Sequence, residues 1–116
     1  QDQELVKITV TPLVGDGGGA LANINRWRAQ VGLPEVATPV DQPTRPFEFD
    51  GVRGLMLDLI APADSAQSGQ RIMVALVARP EQTWFFKMTG PERLVGQQKS
   101  SFEQFLHSVR FESDSM

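Results

Sequence analysis

Residues 71–80, RIMVALVARP, are apolar on both of the faces that a β-strand presents to its surroundings. Because successive side chains of a strand point to opposite sides, this segment has two separate apolar rows. The rows are Ile72, Val74 and Leu76 on one side and Met73, Ala75 and Val77 on the other. A strand of this kind needs cover on both sides, which places it in the centre of a sheet. Its short connections to the neighbouring segments favour antiparallel pairing.

Other segments are also predicted to be strands. Residues 4–11, ELVKITVT, alternate between apolar and polar side chains, as expected for a half-buried strand. Residues 52–62 precede the central strand along the chain and residues 83–89 follow it. A short FEF segment followed by Asp50 and Gly51 suggests a further short strand that ends in a tight turn.

Residues 19–31 are predicted to form a helix. At 100° per residue, an apolar sector about 120° wide holds Ala20, Leu21, Ile24, Trp27 and Val31, opposite Asn23, Arg26 and Gln30. Gly32 fits the left-handed position that ends a helix, and Pro34 prevents its continuation. Arg28 falls inside the apolar sector. Because a buried, unpaired guanidinium is costly, we expect a carboxylate or carbonyl partner for Arg28, or a side chain that reaches the surface.

Residues 34–50 form a long connection that contains Pro34, Pro39, Pro43 and Pro46. Since proline lacks the amide hydrogen and restricts the residue before it, this segment is a loop and not a helix. A connection of this length is either a functional lid or an arm packed across the domain.

A second helix is predicted at the end of the chain. Ser100 and Glu103 have the spacing of a capping box, and one helical turn begun by Pro91 precedes them. The apolar side of this helix is formed by Phe102, Phe105, Leu106 and Val109. His107, the single histidine of the chain, is expected on the solvated side. The aromatic side chains expected between this helix and the sheet are Trp84, Phe85, Phe86, Phe102, Phe105 and Phe111.

These segments predict a single α+β domain over residues 1–116, with a frayed tail at 112–116. The expected architecture is an antiparallel β-sheet flanked by helices, in the order β-α-loop-β-β-β-α, or with four strands after the loop if the short FEF segment is counted. The net charge is −3, so the chain lacks the basic character that is typical of nucleic-acid binders. No apolar run approaches the roughly 20 residues of a membrane span. The absence of cysteine excludes disulfides and thiolate chemistry.

The glycine-rich residues 15–19 invite comparison with phosphate-binding loops. A Walker-type loop needs a lysine and a serine or threonine at positions that other residues occupy here. The looser dinucleotide pattern can be laid from Gly15 through Gly17 to Ala20, but a proline-rich loop follows it and not a parallel strand. Asp16 would also place a negative charge where a phosphate sits. We predict that the glycines supply positive φ and low bulk at a strand-to-helix corner.

No pattern for a catalytic residue, a metal site or a cofactor is found, so we predict a protein that is not an enzyme. The candidate interaction surface lies on the first helix and comprises Asn23, Arg26, Trp27 and Arg28. Trp and Arg are favoured at interfaces. Two interpretations of Trp27 remain open. It is either a partly buried side chain with an arginine stacked on it, or part of an exposed recognition face with Asn23 and Arg26.

Three segments together resemble a widespread family of uncharacterised bacterial exported proteins, many of them lipoproteins. They are GDGGGALANINRWRAQVGLPEV, WFFKMTGPERLV and the closing FEQFLHSVRF. The last two are also similar to the end of PsbP-type domains, which are α/β/α sandwiches with a central antiparallel sheet. Family members usually carry a further strand before the position of Gln1, and any lipid anchor would lie upstream. The resemblance implies no catalytic residue.

Two hypotheses about function follow. In the first, the chain is a non-enzymatic, exported binding or assembly module of the bacterial cell envelope, periplasmic or on the outer surface of the membrane, with a protein partner. PsbP-type domains are, as a class, adaptors in protein assemblies, but a fold does not determine a function. In the alternative, the chain is an enzyme or binds a small anion in a cleft between the first helix and the proline-rich loop, with Arg28 as the anchor.

Overall fold

The computed structural model of the chain describes residues 5–15 and 19–110. Within these residues it contains five strands, three α-helices and one short 3₁₀ helix. In chain order they are β1 (Lys7–Val14), α1 (Ala20–Gln30), the 3₁₀ helix (Pro39–Asp41), β2 (Arg45–Phe49), β3 (Val52–Ile60), β4 (Gln70–Ala78), β5 (Gln82–Pro91), α2 (Glu92–Gln97) and α3 (Lys99–His107). The frayed tail predicted at 112–116 lies outside the described residues.

The five strands form one antiparallel sheet in the order β1-β5-β4-β3-β2. The doubly apolar strand is β4, which lies in the middle of the sheet as predicted. Four strands follow the long loop. The additional one, β2, contains the FEF segment that was predicted as a short strand, and it forms a hairpin with β3. Its turn is Asp50–Gly51, where φ is 54° and 75°, as a type I′ turn requires.

Helices cover both faces of the sheet, and each face has its own core. Helix α1 packs on one face. The core between this helix and the sheet consists of Ile24, Trp27, Val31, Leu57, Leu59, Ala61, Ile72, Val74 and Phe85. Helices α2 and α3 pack on the other face. The core there consists of Phe47, Met56, Met73, Ala75, Val77, Phe86, Met88, Val95, Phe102 and Leu106. The prediction of an α+β sandwich with an antiparallel sheet flanked by helices is therefore confirmed.

The two ends of α1 follow from its flanking glycines. Gly15 and Gly19 have φ of 65° and 96°, which agrees with the predicted role of glycines at this corner. Asp16, Gly17 and Gly18 lie outside the described residues. At the other end Gly32 has φ of 79°. Its N–H donates to Ala29 O, and the N–H of Leu33 donates to Arg28 O at 2.8 Å, which is the Schellman motif.

The predicted capping box of Ser100 and Glu103 is wrong. Helix α3 begins at Lys99, and no side chain caps its N-terminus. The chain passes directly from α2 into α3 through Gln98, whose carbonyl accepts a hydrogen bond from the Phe102 N–H at 2.8 Å. Ser100 therefore lies inside the helix, and the Glu103 carboxylate instead accepts a hydrogen bond from Arg45 Nη2 at 2.5 Å.

The aromatic residues divide between the two faces of the sheet, which corrects the prediction of a single interface. Because side chains alternate along a strand, Phe85 and Phe86 point to opposite faces. Phe85 meets Trp27 of α1 edge to face, with ring centroids 5.6 Å apart. Phe86 faces α3, where the Phe105 ring lies 6.3 Å away. Phe111 lies outside the described residues.

Candidate functional site

The interaction surface predicted on α1 is wrong in two of its four residues. Asn23 and Trp27 are each only 2% exposed, so neither can contact a partner at the surface. Arg26 is exposed, and its guanidinium carbon lies 5.9 Å from the centroid of the Trp27 ring. The interpretation of Trp27 as a buried side chain with an arginine against its ring is the one that the structure supports.

Asn23 lies next to Trp27 on the side of α1 that packs against the sheet, and it is therefore buried. Its Nδ2 donates to the carbonyl oxygen of Gly19 at 2.9 Å, which lets this polar side chain pack beside Ile24 and Trp27. The sheet lies under these residues, whereas the connecting loop 33–44 covers the side of the helix that carries Arg28. The predicted apolar sector was therefore centred too close to Arg28.

Arg28 joins α1 to the connecting loop. Its Nε donates to the carbonyl oxygen of Pro34 at 2.6 Å, and its Nη1 donates to Oε1 of Gln42. Gln42 is 4% exposed, and its own Nε2 donates to the carbonyl oxygen of Pro43 at 2.9 Å. The expected carbonyl partner of Arg28 is confirmed, and these contacts make the side chain a structural link between helix and loop.

A second side chain of α1 holds the same loop. Asn25 Nδ2 donates to Val36 O at 3.1 Å, and the N–H of Val36 donates to Asn25 Oδ1 at 2.8 Å. Asn25 and Gln42 were not singled out from the sequence, although an asparagine facing a proline-rich loop is a natural partner for its backbone. Together with Arg28 they hold the loop against the helix where the alternative hypothesis placed an anion cleft.

His107 and the pair Arg71–Asp58 take part in structural contacts outside this region. His107 is exposed, as predicted, and its ring centroid lies 4.7 Å from that of Phe47. Arg71 donates from Nε and Nη2 to the two carboxylate oxygens of Asp58, at 2.8 and 2.5 Å. This hydrogen-bonded pair raises the pKa of Arg71. In residues 5–15 and 19–110, no group of three or more His, Asp or Glu side chains could hold a metal ion.

The edge strand β1 offers backbone groups that the rest of the sheet does not use. Among the described residues β1 pairs with β5 alone, so its other edge faces no strand. The N–H of Gly15 donates to Glu81 O at 3.1 Å. Because hydrogen-bonded pairs alternate along an antiparallel ladder, the odd-numbered residues of β1 face β5. The backbone groups of Ile8, Val10 and Pro12 therefore point to the open edge, where the missing N–H of proline costs nothing.

The predicted strand at 4–11 is shifted in the structure. The strand runs over Lys7–Val14 and continues through Pro12, which the prediction treated as its end. Proline is tolerated at this position because it points its nitrogen away from β5. A proline inside an otherwise alternating segment was therefore the signal in the sequence for an edge strand.

An apolar groove runs beside this edge, between β1 and the helices α2 and α3. Its volume is about 400 Å³, and it is lined by Leu5, Val6, Ile8, Leu94, Gln98, Ser101 and Phe102. Leu5 is 69% exposed, Ile8 48% and Val10 44%. The backbone of Leu5 lies close to Gly90. A Cβ added at Gly90 would lie 2.8 Å from the carbonyl oxygen of Leu5. Helices α2 and α3 thus cover only part of the apolar side of β1, and Ile8 and Val10 stay about half exposed.

None of the helices in the described ranges has the length and apolar character that crossing a membrane requires. No protein-family model and no curated protein matches the chain. Among solved structures, the chain is similar to the crystal structure of PA94 from Pseudomonas aeruginosa, a protein of unknown function and candidate regulator. The TM-score is 0.59 at 10% sequence identity, over 97% of this chain and 87% of that one. This similarity shows a shared fold.

Proposed function

We propose that the chain is a non-enzymatic protein-binding module that takes up an extended segment of a partner protein along β1. The observation that carries the proposal is the combination of an open strand edge with an apolar groove beside it. Strand addition of this kind uses main-chain hydrogen bonds for affinity and side-chain pockets for specificity. The open edge supplies the N–H groups of Ile8 and Val10, and the apolar groove supplies the pocket.

The partner segment is defined by this geometry. Because Pro12 has no N–H, regular pairing extends from Lys7 to about Thr11, which suits a short segment. Since alternate side chains of a strand point to one face, every second residue of the partner would be apolar and would face the groove that Ile8 and Phe102 line. A second copy of this chain is a less suitable occupant, since antiparallel pairing of two β1 strands along their length would set Pro12 of each copy opposite Ile8 or Val10 of the other, where the missing N–H removes one inter-strand hydrogen bond at each end.

We also propose that the module works at the bacterial cell envelope. This proposal rests on the resemblance to exported proteins and lipoproteins in the NINRWRAQVGL, WFFKMTG and FEQFLHSVRF segments. The experiment is to express the full natural gene product in its own host and to fractionate the cells. Recovery with the periplasm or envelope supports the proposal, and recovery with the cytoplasm contradicts it.

Peptide selection tests the proposed binding surface. The purified domain is used to select from a displayed library of random 12-residue peptides (a length of roughly 40 Å when extended). Selected peptides are then titrated against the 15N-labelled domain. We expect alternating apolar residues in the peptides, and the largest changes at the amides of Ile8 and Val10.

Two variants make this test specific. Val10→Pro removes an N–H that points to the open edge and leaves the pairing with β5 in place, so the domain should stay folded. Its affinity for the selected peptides should fall at least tenfold. Val40→Pro is the matched control, because Val40 is 88% exposed on the 3₁₀ helix. Peptides that bind Val10→Pro as tightly as the parent, or a selection without any binder, would overturn the proposal. Light scattering tests for a dimer of this chain. If a dimer forms and Val10→Pro dissociates it, the edge is occupied by a second copy, and the proposal is also overturned.

A further inference from the structure

A second groove lies on the opposite face of β1, between the sheet and the C-terminal end of α1. Its volume is about 340 Å³. It is lined by Lys7, Thr9, Thr11, Gln30, Val31, Gln70, Arg71, Ile72, Lys87 and Thr89. We call it the basic groove. It differs from the apolar groove in chemistry, and it lies on the other side of α1 from the connecting loop.

The register of β1 and β5 explains why polar side chains gather here. Lys7 lies opposite Thr89, and Thr9 lies opposite Lys87. Lys7 and Lys87 are therefore diagonal neighbours on one face of the sheet, within reach of each other for such long side chains. The three threonines on β1 and β5 add hydroxyl groups that can donate hydrogen bonds to an anion in the floor of the groove.

Helix α1 closes one side of the basic groove. Lys87 Nζ donates to Oε1 of Gln30 at 3.3 Å, which holds the ammonium at the groove. Arg26 precedes Gln30 by four residues, so both side chains lie on the same side of the helix. Lys7, Arg26 and Lys87 form no ion pair with a carboxylate of the described residues.

The electrostatics of Lys87 agree with a site that lacks a negative charge. Burial lowers the pKa of Lys87, and the positive charges of Arg26 and Lys7 lower it further. Like charges held together in this way repel one another. The concentration of positive charge is notable in a chain whose net charge is −3.

We propose that the basic groove binds a phosphate monoester group. Three cationic side chains beside one groove exceed what a single carboxylate needs, and they match the double negative charge of such a group. Lysine ammonium groups bind phosphate as point charges, and the threonine hydroxyls can serve its remaining oxygen atoms. The volume leaves room for a small organic substituent on the phosphate.

Titration of the isotope-labelled domain tests the proposal at low ionic strength. The probes are inorganic phosphate, glycerol phosphate, succinate and sodium chloride matched in ionic strength. We expect saturable changes at the amides of Thr9, Thr11 and Thr89 with both phosphates, at least tenfold weaker binding of succinate, and no saturation with chloride. Vesicles of phosphatidylcholine with and without phosphatidic acid distinguish a lipid headgroup from a free phosphate, because co-sedimentation only with phosphatidic acid would identify the lipid source.

Charge-removing variants locate the ligand. Lys87→Gln should weaken phosphate binding about tenfold, which corresponds to about 1.4 kcal/mol, and Lys7→Gln should weaken it to a similar extent. Arg53→Gln is the matched control, since it removes one exposed positive charge on β3, away from the groove. Thr9→Val keeps all charges and provides a second variant if Lys87→Gln fails to fold.

The proposal is overturned if no probe gives saturable changes, if succinate binds as tightly as phosphate, or if Arg53→Gln weakens binding as much as Lys87→Gln. Its outcome is independent of peptide binding at the open edge. Val10→Pro acts on the opposite face of β1 and should leave phosphate binding within twofold of the parent protein.

Discussion

Arg28 donates from Nε to the carbonyl oxygen of Pro34 at 2.6 Å and thereby ties the end of α1 to the loop that leaves it. Because Nη1 of the same guanidinium reaches Gln42, one side chain fixes two points of the connecting loop, eight positions apart. A planar guanidinium suits this role, since its donors have fixed directions.

Replacement of this guanidinium tests its structural role. We expect Arg28→Ala to lower the free energy of unfolding by about 2 kcal/mol, because hydrogen bonds to a charged donor are lost and buried Gln42 loses a partner. Arg28→Lys should lose nearly as much, since an ammonium cannot reproduce the fork. Urea unfolding measures both, with Arg53→Ala as the exposed control, for which less than about 1 kcal/mol is expected. Full stability of Arg28→Lys would contradict this interpretation.

Trp27 is predicted to be important for folding and not for direct contact with a partner. Its ring is 2% exposed and meets Phe85 edge to face. Trp27→Ala should therefore cost about 3–5 kcal/mol and leave a domain that is partly or wholly unfolded at 37 °C. Circular dichroism and thermal unfolding measure the change. Val40→Ala is the control and should be neutral, because Val40 is 88% exposed.

Alanine substitutions at two glycines with positive φ distinguish the cost of backbone strain from the cost of steric contact. Gly32 has φ of 79°, and a Cβ there would lie 2.8 Å from Gln67 Oε1 and 2.9 Å from Ser65 Cβ. Gly69 has φ of 91° with nothing within 4 Å of a Cβ. Gly69→Ala should thus cost about 1 kcal/mol from strain alone, and Gly32→Ala should cost at least 1 kcal/mol more because the loop at 65–67 must move. Equal losses in urea unfolding would show that this loop yields without cost.

The lowered pKa of Lys87 predicts how its replacement acts at different pH values. Burial, with Arg26 and Lys7, lowers this pKa below the ordinary 10.5. Between the lowered pKa and 10.5 the unfolded chain binds more protons than the folded chain, so stability rises with pH in that range. At neutral pH the cost of the charge is fully present. Lys87→Gln should therefore stabilise the domain at pH 7 by roughly 0.5 kcal/mol, a small effect because water still reaches the side chain.

The measurement is urea unfolding between pH 7 and 10.5 in buffers free of phosphate. The advantage of Lys87→Gln should shrink as the pH rises. Lys99→Gln, which removes a lysine at the start of α3, serves as the control for net charge. If the difference in unfolding free energy between Lys87→Gln and the parent protein stays constant over this pH range, the role assigned to burial and to the neighbouring cations is contradicted.

Features that depend on local chemistry could be predicted from the sequence. The two apolar rows of β4 indicate a central strand, Asp50–Gly51 indicates a tight turn, and Gly32 indicates the end of α1. In each case the deciding interaction lies within a few residues along the chain. The α+β architecture follows because such elements can bury their apolar sides in few ways.

The candidate site could not be predicted in the same way. Whether Ile8 and Val10 are covered depends on which strand pairs with β1 and how far α2 and α3 extend over it. Likewise, the helical wheel placed Asn23 at the surface because it ranks side chains by polarity alone. The hydrogen bond from Asn23 to Gly19 and the packing of the connecting loop against α1 become apparent only in three dimensions.

The pairing of β1 with β5 joins the first and the last strands of the described residues. Thr83 Oγ1 donates to the carbonyl oxygen of Gly15, 68 positions away along the chain, whereas β2, β3 and β4 each pair with the strand that follows them. During synthesis β1 leaves the ribosome before the other four described strands, and its partner β5 is the last of them to be completed. Because contacts of such long sequence separation carry a loop-closure cost, we expect the strand with both grooves to join the sheet after β2, β3, β4 and β5 have paired. We expect the half-covered row of Ile8 and Val10 to be exposed until that step, so that folding of the chain is sensitive to aggregation and to chaperones.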